Sequence, residues 1–534
     1  MLSEDKFFQI NDEKKIWQRY CGFLDLSLDE FMEIQNRLLM EQIELVSNSI
    51  LGKKILQGNL PRSVKEFCSI VPLTTYADYE PYLSEQREDV LAEKPYFWCH
   101  SSGRGGKFKW FPYTHQATDV ITKRGLALFI LASAHSKDEI NFRPGGRALL
   151  MLPPRPYLSG SLLYYISKQF SVCVIPPQEE SEELTFQDRI TKGFGMSLRT
   201  GVDVICAIAS VLVKMGETMS EQAQGIKLKP SMLRPSVLMR LAGAYLRSKA
   251  ARRSMLPKDL WRAKALLVGG TDASIYKEKI AYYWGQTPYE SYSATEASSM
   301  ALQSWNKKWM TFVPDSAFYE FIAEDELRKN KENLLYQPKT VLLNEVEPGK
   351  TYEVVITQFY GMPLLRYRMR DLVTFVALHD EEAGINLPQV VFKTRCDDVI
   401  PLAGLAQLDE RTVWQAIENS GLKNDGWSAM KEYDSNQAYL RLYLELKEIR
   451  EVNEIEKIID QQLQAIDIDY KDLDKMLGLN PIKVTLLSPG TFNRYYEEKQ
   501  REGADLAHLK PPHMNASNSI IQRLIKLSQN DGEQ

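Results

Sequence analysis

The stretch RALLMLPP, Arg147–Pro154, is a short apolar run stopped by two prolines. A run of that kind, bounded by Gly or Pro, reads as a strand. The same form recurs in SVCVIPP (Ser171–Pro177), AKALLVGG (Ala263–Gly270) and TYEVVITQF (Thr351–Phe359), with helical stretches between them. Strands alternating with helices imply an α/β architecture with substantial parallel sheet. From Phe8 to Leu56 apolar residues recur every three to four positions, as in FMEIQNRLLMEQIELV, and read as helices. Two longer apolar runs, GLALFILASA (Gly125–Ala134) and VDVICAIASVLV (Val202–Val213), also read as core helices and are too short to span a bilayer.

Beyond FKTRCDDVIPLAGLAQLDE (Phe392–Glu410) the character changes. A helix ERTVWQAIENS is followed by a strand AYLRLYLELK, whose leucines fall on every second residue. An amphipathic helix EVNEIEKIIDQQLQAI then leads to a strand IKVTLL. The expected organisation is a large N-terminal domain over 1–395, a hinge or linker over 396–408 and a small, mobile α+β domain over 409–534. At 534 residues the chain exceeds what one hydrophobic core serves, in keeping with that division.

Composition is that of a globular protein, 44% hydrophobic and 25% charged, and a net charge of −4 gives no general reason to expect nucleic acid. The six cysteines (Cys21, Cys68, Cys99, Cys173, Cys206, Cys396) form no CxxC pair or zinc-spaced cluster and read as reduced, mostly buried thiols. The start, MLSEDKFFQINDEKK, is acidic and polar where a signal peptide is basic and then apolar, so a cytoplasmic location is expected. One segment departs from the average: Lys227–Lys264 carries eleven Lys/Arg and one acid on a helix-compatible apolar pattern. A solvated helical face, a phosphate-rich ligand or an anionic membrane surface would each account for it.

Four motifs carry chemistry. CHSSGRGGKFKWFPYT, Cys99–Thr114, fits neither the Walker loop nor the dinucleotide fingerprint. Its glycines can free successive N–H groups as an anion nest, its serines add hydroxyl donors and its lysines add charge; a surface turn fits the same residues. YESYSATEASS (Tyr289–Ser299) sets a hydroxyl beside a carboxylate at Thr295 and Glu296, suited to a phosphate oxygen and its Mg²⁺, three residues after an aromatic, Tyr292, free to stack on a base. GMPLLRYRMRDLV (Gly361–Val373) has three arginines at spacing two and then Asp371. The acid can accept both hydroxyls of a ribose, while the arginines pair with phosphate or brace the chain. Near the end, Lys510 stands before Pro511-Pro512, in a loop that cannot continue a helix.

Taken in order, SSG…GKxK, YSATE, YRMRD, TRCDD and the late lysine resemble the adenylate-forming superfamily, and within it the Gretchen Hagen (auxin-responsive) family of acyl-acid amido synthetases. VPLTTYADYEPYL, LWRAKALLVGG, FYEFIAEDE and PGTFNRYYEEKQREGADLAHLKPP are similar to that family's landmarks, so the resemblance runs from about Phe23 to Pro512. It implies a ligase that activates a small carboxylic acid as its adenylate with ATP and Mg²⁺, then transfers the acyl group to an amine, an amino acid, as an amide. It also implies roles. Ser101, Ser102, Gly103 and Lys107 would wrap the β- and γ-phosphates. Tyr292, with Ser293 beside it, would lie against adenine. Thr295 would touch the α-phosphate, Glu296 would hold Mg²⁺, and Asp371 would bind the ribose, supported by Arg395. Asp397 would be the hinge and Lys510 the catalytic lysine.

Four positions depart from the family pattern. Arg104-Gly105 replaces a Thr-Thr or Thr-Ser pair, losing two hydroxyl donors and gaining a guanidinium that can grip the γ-phosphate in bidentate fashion. Gln407 and His513 stand where relatives keep basic residues. MPLLRYRMRD also resembles phenylacetate-CoA ligases, which makes CoA the alternative acceptor, and the altered loop leaves open a catalytically weak protein that binds an acyl-adenylate or nucleotide.

Overall fold

In the computed structural model, which describes residues 2–10, 12–101, 108–221, 234–269, 276–333, 335–402, 406–434, 437–448, 450–467, 470–471, 481–502 and 511–529, the run Gly146–Met151 is a strand between two parallel neighbours. The chain falls into two units, Met1–Lys393 and Thr394–Gln534. In the first, an antiparallel ribbon pairs β1 (Phe97–His100) with β2 (Trp110–Tyr113). The other strands are β3 (Gly146–Met151), β4 (Val172–Ile175), β5 (Val204–Ile208), β6 (Ala265–Gly269), β7 (Tyr289–Ala294) and β8 (Ser298–Gln303). They continue with β9 (Met310–Phe312), β10 (Phe318–Ala323), β11 (Thr351–Thr357), β12 (Tyr367–Ala377) and β13 (Gln389–Arg395).

These eleven, β3 to β13, form one sheet in the order β10-β11-β12-β13-β9-β8-β7-β6-β5-β3-β4. From β4 to β7 all pairings are parallel, with helices such as Leu158–Gln169 and Phe186–Thr200 in the crossovers. At β7 the character switches, because β8 folds back antiparallel. The predicted strand TYEVVITQF belongs to this second half, as β11 between antiparallel β10 and β12. The α/β class is therefore observed, with the two sheet types fused edge to edge.

One expected helix is corrected. Val202–Val213 is not a single core helix: Val204–Ile208 is β5 and a helix starts at Ala209. A strand covered on both faces is apolar throughout and has no alternation to betray it, so periodicity cannot tell it from a buried helix. Pairing to β3 and β6 decides. The run Gly125–Ala134 does lie in a helix, His115–Ser133, and its residues are almost all buried. All six cysteines are unpaired, but only Cys21, Cys99 and Cys206 are buried; Cys173 is exposed.

The helical N-terminal part serves the site at long range. Ser27 and Glu30 close a capping box at the start of the helix Leu28–Ser47. The buried Gln35 and Gln42 of that helix bond backbone far along the chain. Gln42 accepts from Gly361 N at 2.8 Å and donates to Met362 O at 2.7 Å, which pins the start of the GMPLLRYRMRD segment.

The second unit holds a hairpin of β14 (Ile400–Leu402) and β15 (Ala406–Leu408), and a sheet of β16 (Asn424–Asp434), β17 (Gln437–Leu446) and β18 (Ile482–Leu487). Leu440, Leu442, Leu444 and Leu446 are buried, as their alternation predicts, beneath the helices Glu410–Asn419 and Val452–Ile466. Residues just past Lys510 run beside β16: Ser428 Oγ donates to Pro512 O at 2.7 Å and Ala429 N to His513 O at 2.6 Å.

Candidate active site

The turn Thr295-Glu296-Ala297 closes the β7–β8 hairpin, at the carboxyl end of the last parallel strand. Ligand sites of α/β sheets lie at such strand ends. Two side chains from elsewhere fix the turn by its backbone. Tyr113 Oη donates to Thr295 O at 2.9 Å, and Gln358 Nε2 donates to Glu296 O at 2.5 Å. Gln358 in turn accepts from Leu364 N at 2.8 Å, so one amide ties the acidic turn to the GMPLLRYRMRD segment. Neither Tyr113 nor Gln358 was singled out from the sequence. A polar residue placed directly after the apolar strand TYEVVIT was the available signal for Gln358.

Tyr292 and Asp371 meet. Tyr292 Oη donates to Asp371 Oδ2 at 2.9 Å, and its ring lies 5.8 Å from that of Phe392 on β13. Both residues are buried, at 5% and 7% exposure. Asp371 sits where the β11–β12 register shifts between Glu353 and Val355, just after Arg370, a non-glycine residue at φ 60°. Such a bulge re-aims a side chain out of the regular ladder. Ser298, Tyr360 and Arg366, all flanking this region, are also at positive φ. Strained backbone of this kind collects at functional sites.

Of the three arginines of GMPLLRYRMRDLV, Arg366 and Arg368 brace the chain. Arg366 is 5% exposed and grips Glu320 through Nε (3.1 and 3.0 Å) and Nη2 (2.7 Å), with Val71 O and Thr340 Oγ1 completing its bonds. Arg368 makes a fork on Glu353 at 2.9 and 2.6 Å and reaches Asn330. Both carboxylates are fully buried, so these guanidiniums are committed to the protein. Arg370, 3.7 Å from Glu353, is the more exposed of the three.

The ribbon of β1 and β2 carries the first motif. His100 lies opposite Trp110, and Ser101 N bonds Lys109 O at 3.0 Å. His100 N donates to Pro156 O at 3.2 Å, which ties the end of β1 to the segment after β3. Its ring stacks on Phe108 at 4.0 Å, and burial lowers its pKa below the ordinary value, leaving it neutral at pH 7. Burial and then the Glu296 charge push the Cys99 thiol well up, which places that carboxylate within electrostatic reach of β1. Ser102, Gly103, Arg104 and Lys107 lie outside the described residues, as does Lys510. Ser293 is exposed beside Ser291, Arg395 ends β13, and Asp397 falls in a turn, Cys396–Asp398. His513, near Lys510 in sequence, bonds Glu410 at 2.7 Å and stacks on Trp427 at 4.3 Å.

The site suits a nucleotide with its metal. Mg²⁺ keeps several waters and takes one or two carboxylates plus substrate phosphates, so the single carboxylate of Glu296 beside the Thr295 hydroxyl is an adequate protein share. Among the described residues no cluster of three or more His, Cys, Asp or Glu could hold a metal by itself.

Family models match three segments: the GH3 family N-terminal domain over residues 22–157, the central domain over 310–395 and the C-terminal domain over 413–519. The chain belongs to the GH3 family. Among GH3 relatives, the indole-3-acetic acid-amido synthetase GH3.17 of Arabidopsis thaliana is 23% identical over 92% of each chain. The jasmonoyl–L-amino acid synthetase GH3.5 of Oryza sativa subsp. japonica is 26% identical over 47% of this chain and 45% of its own, so that match spans about half of each protein. In fold, this GH3 chain is similar to the acyl acid amido synthetase AtGH3.15 in complex with 2,4-DB (TM-score 0.68, 19% identity, 94% of this chain and 95% of that one). It is also similar to a 2-hydroxyisobutyryl-CoA ligase holding R3-HIB-AMP (TM-score 0.64, 13% identity, 95% and 93%). Among the described residues of the GH3 chain, no helix is long and apolar enough to cross a membrane.

Proposed function

We propose that this GH3 protein is an ATP-dependent ligase that activates a carboxylic acid as its acyl-adenylate and passes the acyl group to an amino acid, forming an amide. The observation that carries the proposal is the meeting of motifs far apart in sequence. Tyr292 bonds Asp371, and Gln358 and Tyr113 hold the Thr295-Glu296 turn between the ribbon and the GMPLLRYRMRD segment.

In this reading a carboxylate oxygen attacks the α-phosphorus, the bond to the bridging oxygen of the β-phosphate breaks, and pyrophosphate leaves. The amine nitrogen then attacks the acyl carbon and AMP leaves. Both anions must be brought together, so positive charge is needed where it develops. Ser101, Ser102, Gly103, Arg104 and Lys107 are assigned to the β- and γ-phosphates, and Thr295 to the α-phosphate. Tyr292 lines the adenine side with Ser293 near it. Asp371 accepts from the ribose hydroxyls, with Arg395 in support, and Tyr292 Oη fixes the orientation of that carboxylate. Glu296 holds Mg²⁺, which when bound neutralises phosphate charge. Lys510 pairs with the α-phosphate and the incoming carboxylate. Asp397 lies at the hinge of the 396–408 linker, about which the small domain, 409–534, turns between half-reactions. A cytoplasmic location suits this use of ATP.

The test is acid-dependent exchange of pyrophosphate into ATP over a panel of aromatic, aliphatic and keto acids, followed by product analysis with amino acids and with CoA. Exchange with one acid class, abolished in Lys510→Ala, and an amide product are expected. ATP binding without exchange for any acid would sink the ligase reading. A thioester in place of an amide would move the protein to the CoA ligases, whose fold it shares.

A further inference from the structure

The helix Pro235–Ala250 packs inward through Val237, Ala244 and Ser248, yet its opposite side is not polar. Leu238, Met239, Tyr245 and Leu246 are 39%, 70%, 53% and 67% exposed. Together with exposed Ala242 they recur at three- and four-residue spacing, so they make one continuous apolar stripe facing outward. Arg234, Arg247, Lys249 and Arg252 are exposed around it.

Among the described residues these cations have no counter-charge. Across Lys227–Lys264 the single acid is Asp259, which is buried and bonded by Arg253 at 2.6 and 2.9 Å. Among the described residues, Arg234, Arg240, Arg247, Lys249 and Arg252 form no ion pair; Arg240 and Arg247 donate to the carbonyls of Leu260 and Asp259. Burial first, and then the charges of Arg147 and Arg247, lower the pKa of Arg240, as expected where positive charge is gathered without anions. Tyr282 is 55% exposed, with Lys258 Nζ 4.9 Å from its ring centre.

A solvated helix needs the charges but not the stripe. A nucleic-acid surface gains nothing from leucine and methionine set against phosphate. A cationic helix with an apolar outer face matches the interface of an anionic bilayer, where the apolar side chains enter the acyl boundary and the cations meet headgroups. We propose that the helix Pro235–Ala250 docks this protein, in the plane of the interface, on an anionic membrane surface. Leu238, Met239, Tyr245 and Leu246 insert, and Arg234, Lys249 and Arg252 contact phosphate-bearing headgroups. None of these residues has a role in the site proposed above, so the docking stands or falls independently of the ligase reading.

The test is co-sedimentation of the full chain with vesicles of phosphatidylcholine alone or with phosphatidylserine added, at low and high salt. Binding to the phosphatidylserine vesicles is expected at low salt, with release by salt. The triple variant Arg234→Gln, Lys249→Gln, Arg252→Gln should bind roughly 100-fold more weakly, about fivefold per cation removed. The double variant Met239→Ser, Leu246→Ser should lose more than about tenfold. Circular dichroism melts matching the parent protein keep both variants interpretable. No sedimentation of the parent with phosphatidylserine vesicles, or equal binding to neutral ones, overturns the proposal. Full binding by the serine variant makes the face a simple polyanion site, and a DNA mobility shift without vesicle binding makes it a nucleic-acid one; either refutes membrane docking.

Discussion

Replacing Arg366 by methionine separates a bracing arginine from a phosphate-binding one. The substitution leaves Glu320, fully buried, with the Thr340 hydroxyl in place of a guanidinium making three bonds to it. Stranding one partner of a buried ion pair costs about 3–5 kcal/mol. Unfolding entropy near 2.1 cal/mol/K per residue gives about 0.8 kcal/mol/K for the 393 residues of Met1–Lys393. The transition of that unit should therefore fall by about 4–6 °C in differential scanning calorimetry. The double variant Arg366→Met, Glu320→Leu removes both charges and should recover most of the loss, because an apolar pair of similar volume fills the site without a stranded ion. Affinity for ATP, measured by calorimetric titration well below the transition, should stay within about threefold of the parent, a difference under 1 kcal/mol. An unchanged midpoint with ATP binding lost would refute the argument and return Arg366 to the phosphates.

Tyr292→Phe removes the hydroxyl that orients Asp371, a bond of about 1 kcal/mol or somewhat more, so the KM for ATP should rise about five- to tenfold with kcat little changed. A fall in kcat at constant KM would argue against a ribose-side role. Glu296→Gln should lower pyrophosphate exchange by about two orders of magnitude or more and shift the Mg²⁺ titration to higher concentration, whereas unchanged Mg²⁺ dependence would remove Glu296 from the metal. Burial alone would raise the pKa of Glu326, but bonds from Lys329 Nζ, Lys339 N and Tyr336 Oη outweigh it and hold the group at about 2. Because the folded value is depressed, the stability Glu326 contributes is complete above its ordinary value near 4.5 and fades as pH falls toward about 2. Glu326→Gln should flatten that part of the acid-denaturation curve, and parallel curves for the two proteins would show the carboxylate to be unimportant.

The sequence by itself determined the strands RALLM, SVCVI and AKALLVG, two helices and two strands of the small unit and the order of the chemical motifs, whereas β16 and the β14–β15 hairpin came only from the fold. Strand runs end on local punctuation, Pro or Gly, and alternation such as Leu440 to Leu446 is written in consecutive residues. What only the tertiary structure decided is which neighbour each ambiguous residue meets. VICAI became a strand because β3 and β6 flank it. Arg366 and Arg368 became braces because Glu320 lies 46 residues away and Glu353 15, on strands paired nearby. Gln358 could join the site only when a fold brought it to Glu296, 62 residues upstream. Local periodicity reports which face a residue takes, but the partner that fixes its role comes from another strand, and no spacing within one stretch encodes it.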